Sequence, residues 1–231
     1  MPGALQKRGP ERVDRRLPPK TTTPASPARP ARRSQSQRRE EAALRLLDAA
    51  LGIVARAGSA RLTLAGVGAA AGYSRGLATH RFGNKAGLLR ALAAHINACF
   101  HEQLRAVAPR RDGLEAIRGN ISVYFGRSDR NWTTTRALLV MLTEGFMEGA
   151  ELKSDMAAYN RLALAFFETH LRIGIAQGEV RADIEPASMA VLLLGSLRGV
   201  MLQWLLDEAI DLGAVRDRLL AMLDSTLAHG A

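Results

Sequence analysis

The 231-residue sequence has a single cysteine, Cys99, and only 5% aromatic residues. One cysteine excludes an intramolecular disulfide and fits a reducing compartment. A buried packing role is expected for Cys99, with redox sensing as the less favoured alternative. No apolar segment follows the N-terminal positive charges, as a secretory signal would require. The sequence therefore predicts a cytoplasmic protein.

Motifs of common catalytic sites are missing as well. The five histidines are scattered, and there is no His-Glu-x-x-His helix, no Walker loop, no Ser-His-Asp order and no ligand-spaced Cys/His cluster. An α-helical enzyme is therefore a disfavoured class, and the sequence predicts no cofactor and no metal site.

Proline is almost confined to the N-terminus, in a segment rich in Thr, Ser and Arg without apolar periodicity. Residues 1–37 cannot bury enough apolar surface to offset the entropy of ordering, so they are predicted to form a disordered basic arm. Residues 1–39 hold eleven basic residues against two acidic ones, which accounts for most of the net charge of +10. Such an arm either lies along DNA or is only a solubilising extension, and the sequence favours neither.

Acidic residues are absent from residues 49–101, whereas six basic residues fall within that stretch. A surface that approaches phosphates gains from this pattern, because each phosphate contact releases a condensed counterion. Within the stretch, Thr63 can cap one helix, Gly72 ends it, and Ser74 can cap a second. Two helices joined by a tight glycine turn form a helix-turn-helix unit, whose second helix reads base edges in the major groove.

These residues resemble the tetracycline-repressor (TetR) family of bacterial transcriptional regulators. The resemblance covers about fifty residues and rests on order and spacing together. Its motifs are Ala71-Gly72-Tyr73-Ser74, Arg75-Gly76 and His80-Arg81-Phe82-Gly83-Asn84-Lys85, followed by Leu88-Leu89. The sequence departs from the family at Thr79, where Tyr is common, and at Gly68, where Ala is more usual. Gly68 is expected to permit close contact between the two helices.

The resemblance implies an all-α chain with three parts. Residues 1–37 are the disordered basic arm, residues 38–90 a three-helix helix-turn-helix DNA-binding domain, and residues 91–231 a helical domain for effector binding and dimerisation. Later helices are predicted near residues 85–107, 114–126, 132–149, 152–177, 187–206 and 212–227. By the same resemblance, the last two helices form a homodimer interface. Two heads about 34–36 Å apart would then match a palindromic operator.

Arg75 is predicted to contact a guanine edge bidentately, and Lys85 to hold a backbone phosphate. The predicted DNA-binding residues are Thr63, Ser74, Arg75, Gly76, Leu77, Thr79, His80, Arg81 and Lys85. Ala78 and Phe82 are assigned to the small core of the motif. The buried stripe of the first helix is predicted to be Leu44, Leu47, Leu51 and Val54.

The resemblance also implies a small-molecule effector between the fourth and eighth helices. The candidate lining residues are Phe100, Tyr124, Phe125, Trp132, Met141, Phe146, Met147, Phe166, Phe167 and Arg198. Arg198 is a charge within the apolar segment 189–206 and needs a partner, either a carboxylate of a partner subunit or an anionic ligand group. Together with Gln203 it also argues against a membrane span there. The expected effector is small and lipophilic, with or without an anionic end.

Together these patterns predict an effector-responsive transcriptional regulator, expected to be a repressor that binds a palindromic double-stranded DNA operator as a homodimer. The alternative is a non-specific or architectural DNA-binding protein dominated by the basic arm. Deleting residues 1–37 would distinguish them, because only the regulator would keep its specific site.

Overall fold

A computed structural model of the chain describes Gly3 and residues 34–107, 112–126, 132–147 and 152–227. Within these ranges the chain is helical and contains no extended β-strand, so the predicted all-α class is confirmed. The helices are α1 (Gln35–Ala57), α2 (Leu64–Ala70), α3 (Arg75–Phe82), α4 (Lys85–Val107), α5 (Gly113–Gly126), α6 (Thr133–Glu144), α7 (Lys153–Ala176), α8 (Pro186–Leu206) and α9 (Leu212–Leu227), with a 3-10 turn at Ser59–Arg61 between α1 and α2.

The later helices lie close to their predicted bounds, with one exception. α6 ends at Glu144 rather than near residue 149, because the hydrogen-bond pattern of the helix changes after Gly145. The Gly145 amide still donates to the Met141 carbonyl, but the next amides donate to carbonyls only three residues back.

α1 begins at Gln35, three residues inside the segment predicted to be disordered. Gln and Arg are good helix formers, and no proline follows Pro30 in this part of the chain. Residues 35–37 therefore belong to a helix. Apart from Gly3 and Ser34, the rest of the predicted arm lies outside the described residues.

The buried face of α1 centres on Leu46, Ala50 and Val54. The predicted stripe included Leu44 and Leu47 instead. That prediction was wrong at these two positions, because Leu44 is 51% exposed and Leu47 is only partly buried. Counting leucines misses the alanines through which α1 lies closest to its neighbours.

The described residues from Gln35 onward form one compact unit. We call α1, α2, α3 and the first turns of α4 the head, and the remaining helices the body. α4 runs from the head into the body, and α1 packs along α6. In the body, α7 packs against both α5 and α8, while α9 packs on α5. By length and composition α8 is the single helix, among the residues described, that could cross a membrane.

Two glycines allow the helices of the head to meet closely. A Cβ on Gly68 would lie 2.9 Å from the Ser74 carbonyl oxygen, so α2 touches the start of α3 as expected. A Cβ on Gly87, in the first turn of α4, would overlap the Phe82 carbonyl oxygen at the end of α3. Both obstacles are backbone atoms that cannot rotate aside, so only glycine fits at either position.

We expect Gly87→Ala to lower the free energy of unfolding by about 1–3 kcal/mol, as overpacking does. Chemical denaturation of the purified variant measures this change. Gly76→Ala provides the control, because its Cβ would meet no heavy atom nearer than 3.7 Å. That change should raise the free energy of unfolding by about 0.5–1 kcal/mol through helix propensity. Equal destabilisation by both substitutions would contradict the steric explanation.

Candidate nucleic-acid interface and ligand cavity

Two hydroxyl caps define the helix-turn-helix unit. Thr63 Oγ1 accepts a hydrogen bond from the Gly66 amide at 3.0 Å and begins α2. Ser74 Oγ accepts one from the Leu77 amide at 3.3 Å and begins α3. Gly72, with a φ of 74°, makes the turn between the two helices. Both predicted caps are confirmed.

α3 has one buried side and one open side. Ala78 is fully buried in the head and Phe82 is partly buried, which fixes the helix from beneath. Leu77 is partly buried and packs against the core. The other predicted contact residues of this helix are exposed, namely Arg75, Gly76, Thr79, His80 and Arg81. α3 is therefore an eight-residue helix with polar and basic side chains on its outer surface.

The start of α4 lies beside this helix. Asn84 caps α4, since its Oδ1 accepts a hydrogen bond from the Gly87 amide at 2.8 Å. This cap was not predicted, although an Asn immediately before a helix is its usual signal in a sequence. Lys85 is half-buried, and its Nζ donates to the Ala60 carbonyl at 3.4 Å. Its ammonium group is therefore held near the 3-10 turn.

A groove of about 760 Å³ opens between α1 and α3. We call it the α1–α3 groove, and its lining residues are Gln35, Arg38, Arg39, Ala42, Ala43, Leu46, Leu77, His80 and Arg81. The sequence did not predict this groove, because its lining comes from two helices far apart in the chain; of the lining residues only Gln35 lay in the predicted disordered arm.

A second cavity, of about 60 Å³, lies within the body where α4, α5, α7 and α8 meet. Five of the residues predicted for the effector site line it, namely Phe100, Tyr124, Phe166, Phe167 and Arg198. The Phe100 and Tyr124 rings pack edge to face with centroids 6.2 Å apart, and so do the rings of Phe166 and Phe167. Polar residues that were not predicted from the sequence complete the lining, among them Asn97, His101, Asn120 and Tyr159. The cavity is mostly aromatic with a few polar groups, as ligand sites commonly are.

The other predicted lining residues lie elsewhere. Met141 is fully buried, and Phe125 is buried outside the cavity lining. Phe146 and Met147 are 79% and 64% exposed, because α6 ends before them. Phe146 lines a second, open groove, which Arg198 also borders.

Trp132 also lies outside this cavity. It precedes α6 in a left-handed conformation, with a φ of 49°. Its ring packs against that of Trp204 in α8, with centroids 5.1 Å apart. A separate surface groove, which Arg56 and Arg136 help to line, exposes this pair.

Arg198 lies between the small cavity and an open groove of about 770 Å³ beside α6, α7 and α8. Its Nη1 donates a hydrogen bond to Asn160 Oδ1. Burial lowers the pKa of the guanidinium below its ordinary value, and the nearby Tyr124 and Tyr159 partly offset this effect. Among the described residues, no carboxylate forms an ion pair with Arg198. A half-buried cation with an amide as partner is a ready site for an anion.

Glu144, the last residue of α6, connects the body to the head. Its two carboxylate oxygens accept from the Ser59 amide at 2.9 and 3.1 Å. Ser59 begins the 3-10 turn that leads from α1 towards the helix-turn-helix unit. A weaker contact joins Arg90 in α4 to Asp155 in α7 at 3.4 Å. The head is therefore fixed to the body by a carboxylate on a backbone amide, in addition to helix packing.

We expect Glu144→Ala to lower the free energy of unfolding by about 1–3 kcal/mol, because it leaves a partly buried amide without its acceptor. Thermal or chemical denaturation measures the change. Glu168→Ala is a matched control, since Glu168 forms only an exposed pair with Arg172 one helical turn away. Such a pair is worth about 0.3–0.5 kcal/mol. A Glu144 variant as stable as the Glu168 variant would argue against the anchor.

These features define a class of protein, a helix-turn-helix DNA-binding protein with a second, helical region that contains a cavity. Residues 46–92 match the family model described as bacterial regulatory proteins, tetR family. The resemblance to the TetR family of transcriptional regulators that was identified in the sequence is confirmed over these residues. No curated protein sequence matches the chain.

Solved structures share the fold over most of the chain. A TetR transcriptional regulator from Chloroflexus aurantiacus J-10-FL is 20% identical with a TM-score of 0.71, over 84% of this chain and 99% of that one. FadR from Bacillus subtilis, in complex with stearoyl-CoA, is 19% identical with a TM-score of 0.63, over 79% and 97%. SmeT, the repressor of the Stenotrophomonas maltophilia multidrug efflux pump SmeDEF, is 27% identical with a TM-score of 0.65, over 81% and 91%.

Proposed function

We propose that this chain is an effector-responsive repressor that binds a palindromic operator as a homodimer in the cytoplasm. The observation that carries the proposal is the capped, exposed helix α3, which presents Arg75 and its neighbours on a head anchored to a cavity-bearing body. We retain residues 38–90 as the DNA-binding domain and 91–231 as the effector-binding and dimerisation domain.

Each exposed group of α3 receives a role from its chemistry. The Arg75 guanidinium would contact a guanine O6/N7 edge, while Gly76 lets the helix approach closely. Thr79, His80 and Arg81 would contact phosphates or the edge of the DNA major groove. Lys85 would do the same once its ammonium leaves the Ala60 carbonyl. The hydroxyl groups of the caps Thr63 and Ser74 can still donate to a phosphate, and the Leu77 edge would meet a thymine methyl.

An apolar face of α8 supports dimerisation. Val191, Leu192, Leu202 and Leu206 are large apolar residues that stay exposed in the single chain, with Leu206 85% and Leu192 62% exposed. Gly195 and Gly199 lie between them, with no heavy atom near either Cβ position, so a second backbone can approach closely. Met222 adds an exposed apolar side chain from α9. A second copy of the same two helices would cover this face as a two-fold interface.

The cavity and Arg198 support a small, lipophilic effector with an anionic end. A volume of about 60 Å³ is too small for a drug-sized molecule, which needs about 300 Å³ or more. An effector would therefore have to open the wall at Arg198 into the larger groove beside it. Gly195, Gly199 and Leu202 of the dimer face also line that groove, so the second copy would close it from outside. SmeT, also solved as a triclosan complex, gives a relative with a small lipophilic ligand. The ligand would favour the opened state only through its higher affinity for it.

Opening at Arg198 would reach the head through two routes. The groove beside Arg198 includes Thr143 and Gly145, on either side of the anchoring Glu144. α4 contributes Phe100 to the cavity and also carries the head at its other end. A displaced α6 terminus or a tilted α4 would change the separation of two heads, so that they no longer fit successive turns of one duplex.

We expect Arg75→Ala to weaken binding to the specific operator by about 1–3 kcal/mol and to relax the preference for one base pair, because it removes two parallel hydrogen bonds to a base edge. Mobility shift on a fragment selected from genomic DNA measures both effects. Arg172→Ala, an equal change of charge on the exposed surface of the body, should leave both unchanged. Absence of any preference in the parent protein would reject the regulator and favour an architectural protein.

For the effector, we expect a medium-chain fatty acid to release the protein from its operator. The methyl ester of the same acid should do so less effectively. Arg198→Met should weaken the response to the acid by about 1.5–3 kcal/mol, the value of a hydrogen bond to a charged group. The response to the ester should be unaffected. Release is followed by mobility shift, and binding by calorimetry. Equal responses of the parent and Arg198→Met to the acid would refute the anionic site.

A further inference from the structure

We infer that the α1–α3 groove is a second DNA contact, in which Arg38 and Arg39 of α1 bind the sugar-phosphate backbone of the duplex that α3 reads. The inference rests on the proposed function in one respect, that DNA lies against α3. It concerns two arginines that the sequence analysis counted among the basic residues 1–39 without assigning either of them to a DNA contact.

The basic and the acidic residues at the start of α1 lie on different faces of the helix. Arg38 and Arg39 lie on the side that lines the groove, together with Gln35 one turn before them. Glu40 and Glu41 do not line it. At 100° per residue, each of these acids is turned about 130° from the centre of the groove face. The helix therefore presents only positive charge towards α3.

The two arginines have no ion-pair partner in the part of the chain that the structure describes. Both are exposed, and no carboxylate among the described residues lies within ion-pairing distance of either. No ion pair within the described residues therefore explains these two charges. Charge complementarity with a polyanion accounts for them.

The groove is continuous with the surface that reads DNA. His80 and Arg81 belong to α3 and also line the groove, opposite the arginines of α1. Its floor is made of short or apolar side chains, among them Ala42, Ala43 and Leu46, which leave room for a backbone strand to approach. A duplex seated on α3 would place a neighbouring phosphate strand between His80 and Arg81 on one side and Arg38 and Arg39 on the other.

Backbone contacts of this kind contribute affinity and salt dependence but no sequence preference. The test is therefore the slope of the logarithm of the binding constant against the logarithm of salt concentration. The probes are the genomic fragment selected by the parent protein and a mixed-sequence duplex of equal length. The double variant Arg38→Gln/Arg39→Gln should reduce the slope on both probes by about 0.9 for each phosphate that an arginine no longer neutralises in each head. The ratio of the two affinities should stay unchanged.

Arg45→Gln is the matched control. Arg45 is on the same helix and carries the same charge, but it lies outside the groove and pairs with Glu41 at 2.7 Å. Its substitution should leave the slope unchanged. An unchanged slope in the double variant would overturn the inference, and so would an equal decrease with Arg45→Gln, which would indicate net charge alone.

The two proposals fail in different ways. If the parent protein does not prefer the selected fragment, the proposed function fails, while the slope on the mixed-sequence duplex still decides the role of the groove. If the parent prefers that fragment and the double variant keeps its slope, only the groove is refuted. Circular dichroism melting of each variant verifies the fold, which these exposed substitutions should preserve.

Discussion

Backbone contact at two glycines is the constraint on which the reading head depends. An isolated helix of eight residues such as α3 is not stable in water, because nucleation is costly and few hydrogen bonds follow it. α3 persists because Ser74 caps its start, α2 touches that start through Gly68, and α4 touches its end through Gly87. Both ends of the helix are therefore fixed by main-chain atoms, and its side chains stay on a surface whose geometry does not relax.

Among the described residues, few polar contacts connect the body to this surface. Glu144 holds the Ser59 amide, and α4 continues from the head to the cavity. Arg198 separates the cavity from the neighbouring groove and has an amide, Asn160, as its hydrogen-bond partner. A charged group in that position can change partners at lower cost than a buried ion pair could be broken, because an amide compensates a cation only in part.

Much of the fold and of the reading site could be predicted from the sequence because the determining interactions are local. The caps at Thr63 and Ser74 act over three residues, and helix periodicity predicted most helix ends. What could not be predicted depends on distant residues. The contact of Glu144 with Ser59 spans 85 positions, and the α1–α3 groove exists only once the folded chain brings the start of α1 near α3. The aromatic residues predicted only part of the cavity lining. The prediction was incomplete because Phe and Met fill cores and pockets alike.

The pairing of Trp132 with Trp204 has a spectroscopic consequence. These are the two tryptophans of the whole sequence, and their rings are in contact where the start of α6 meets α8. The indole emission of the protein thus originates from one place, on the helix that also carries Arg198. Any motion that separates α6 from α8 would change the quenching and the wavelength of that emission. The chain contains its own optical reporter and needs no attached dye.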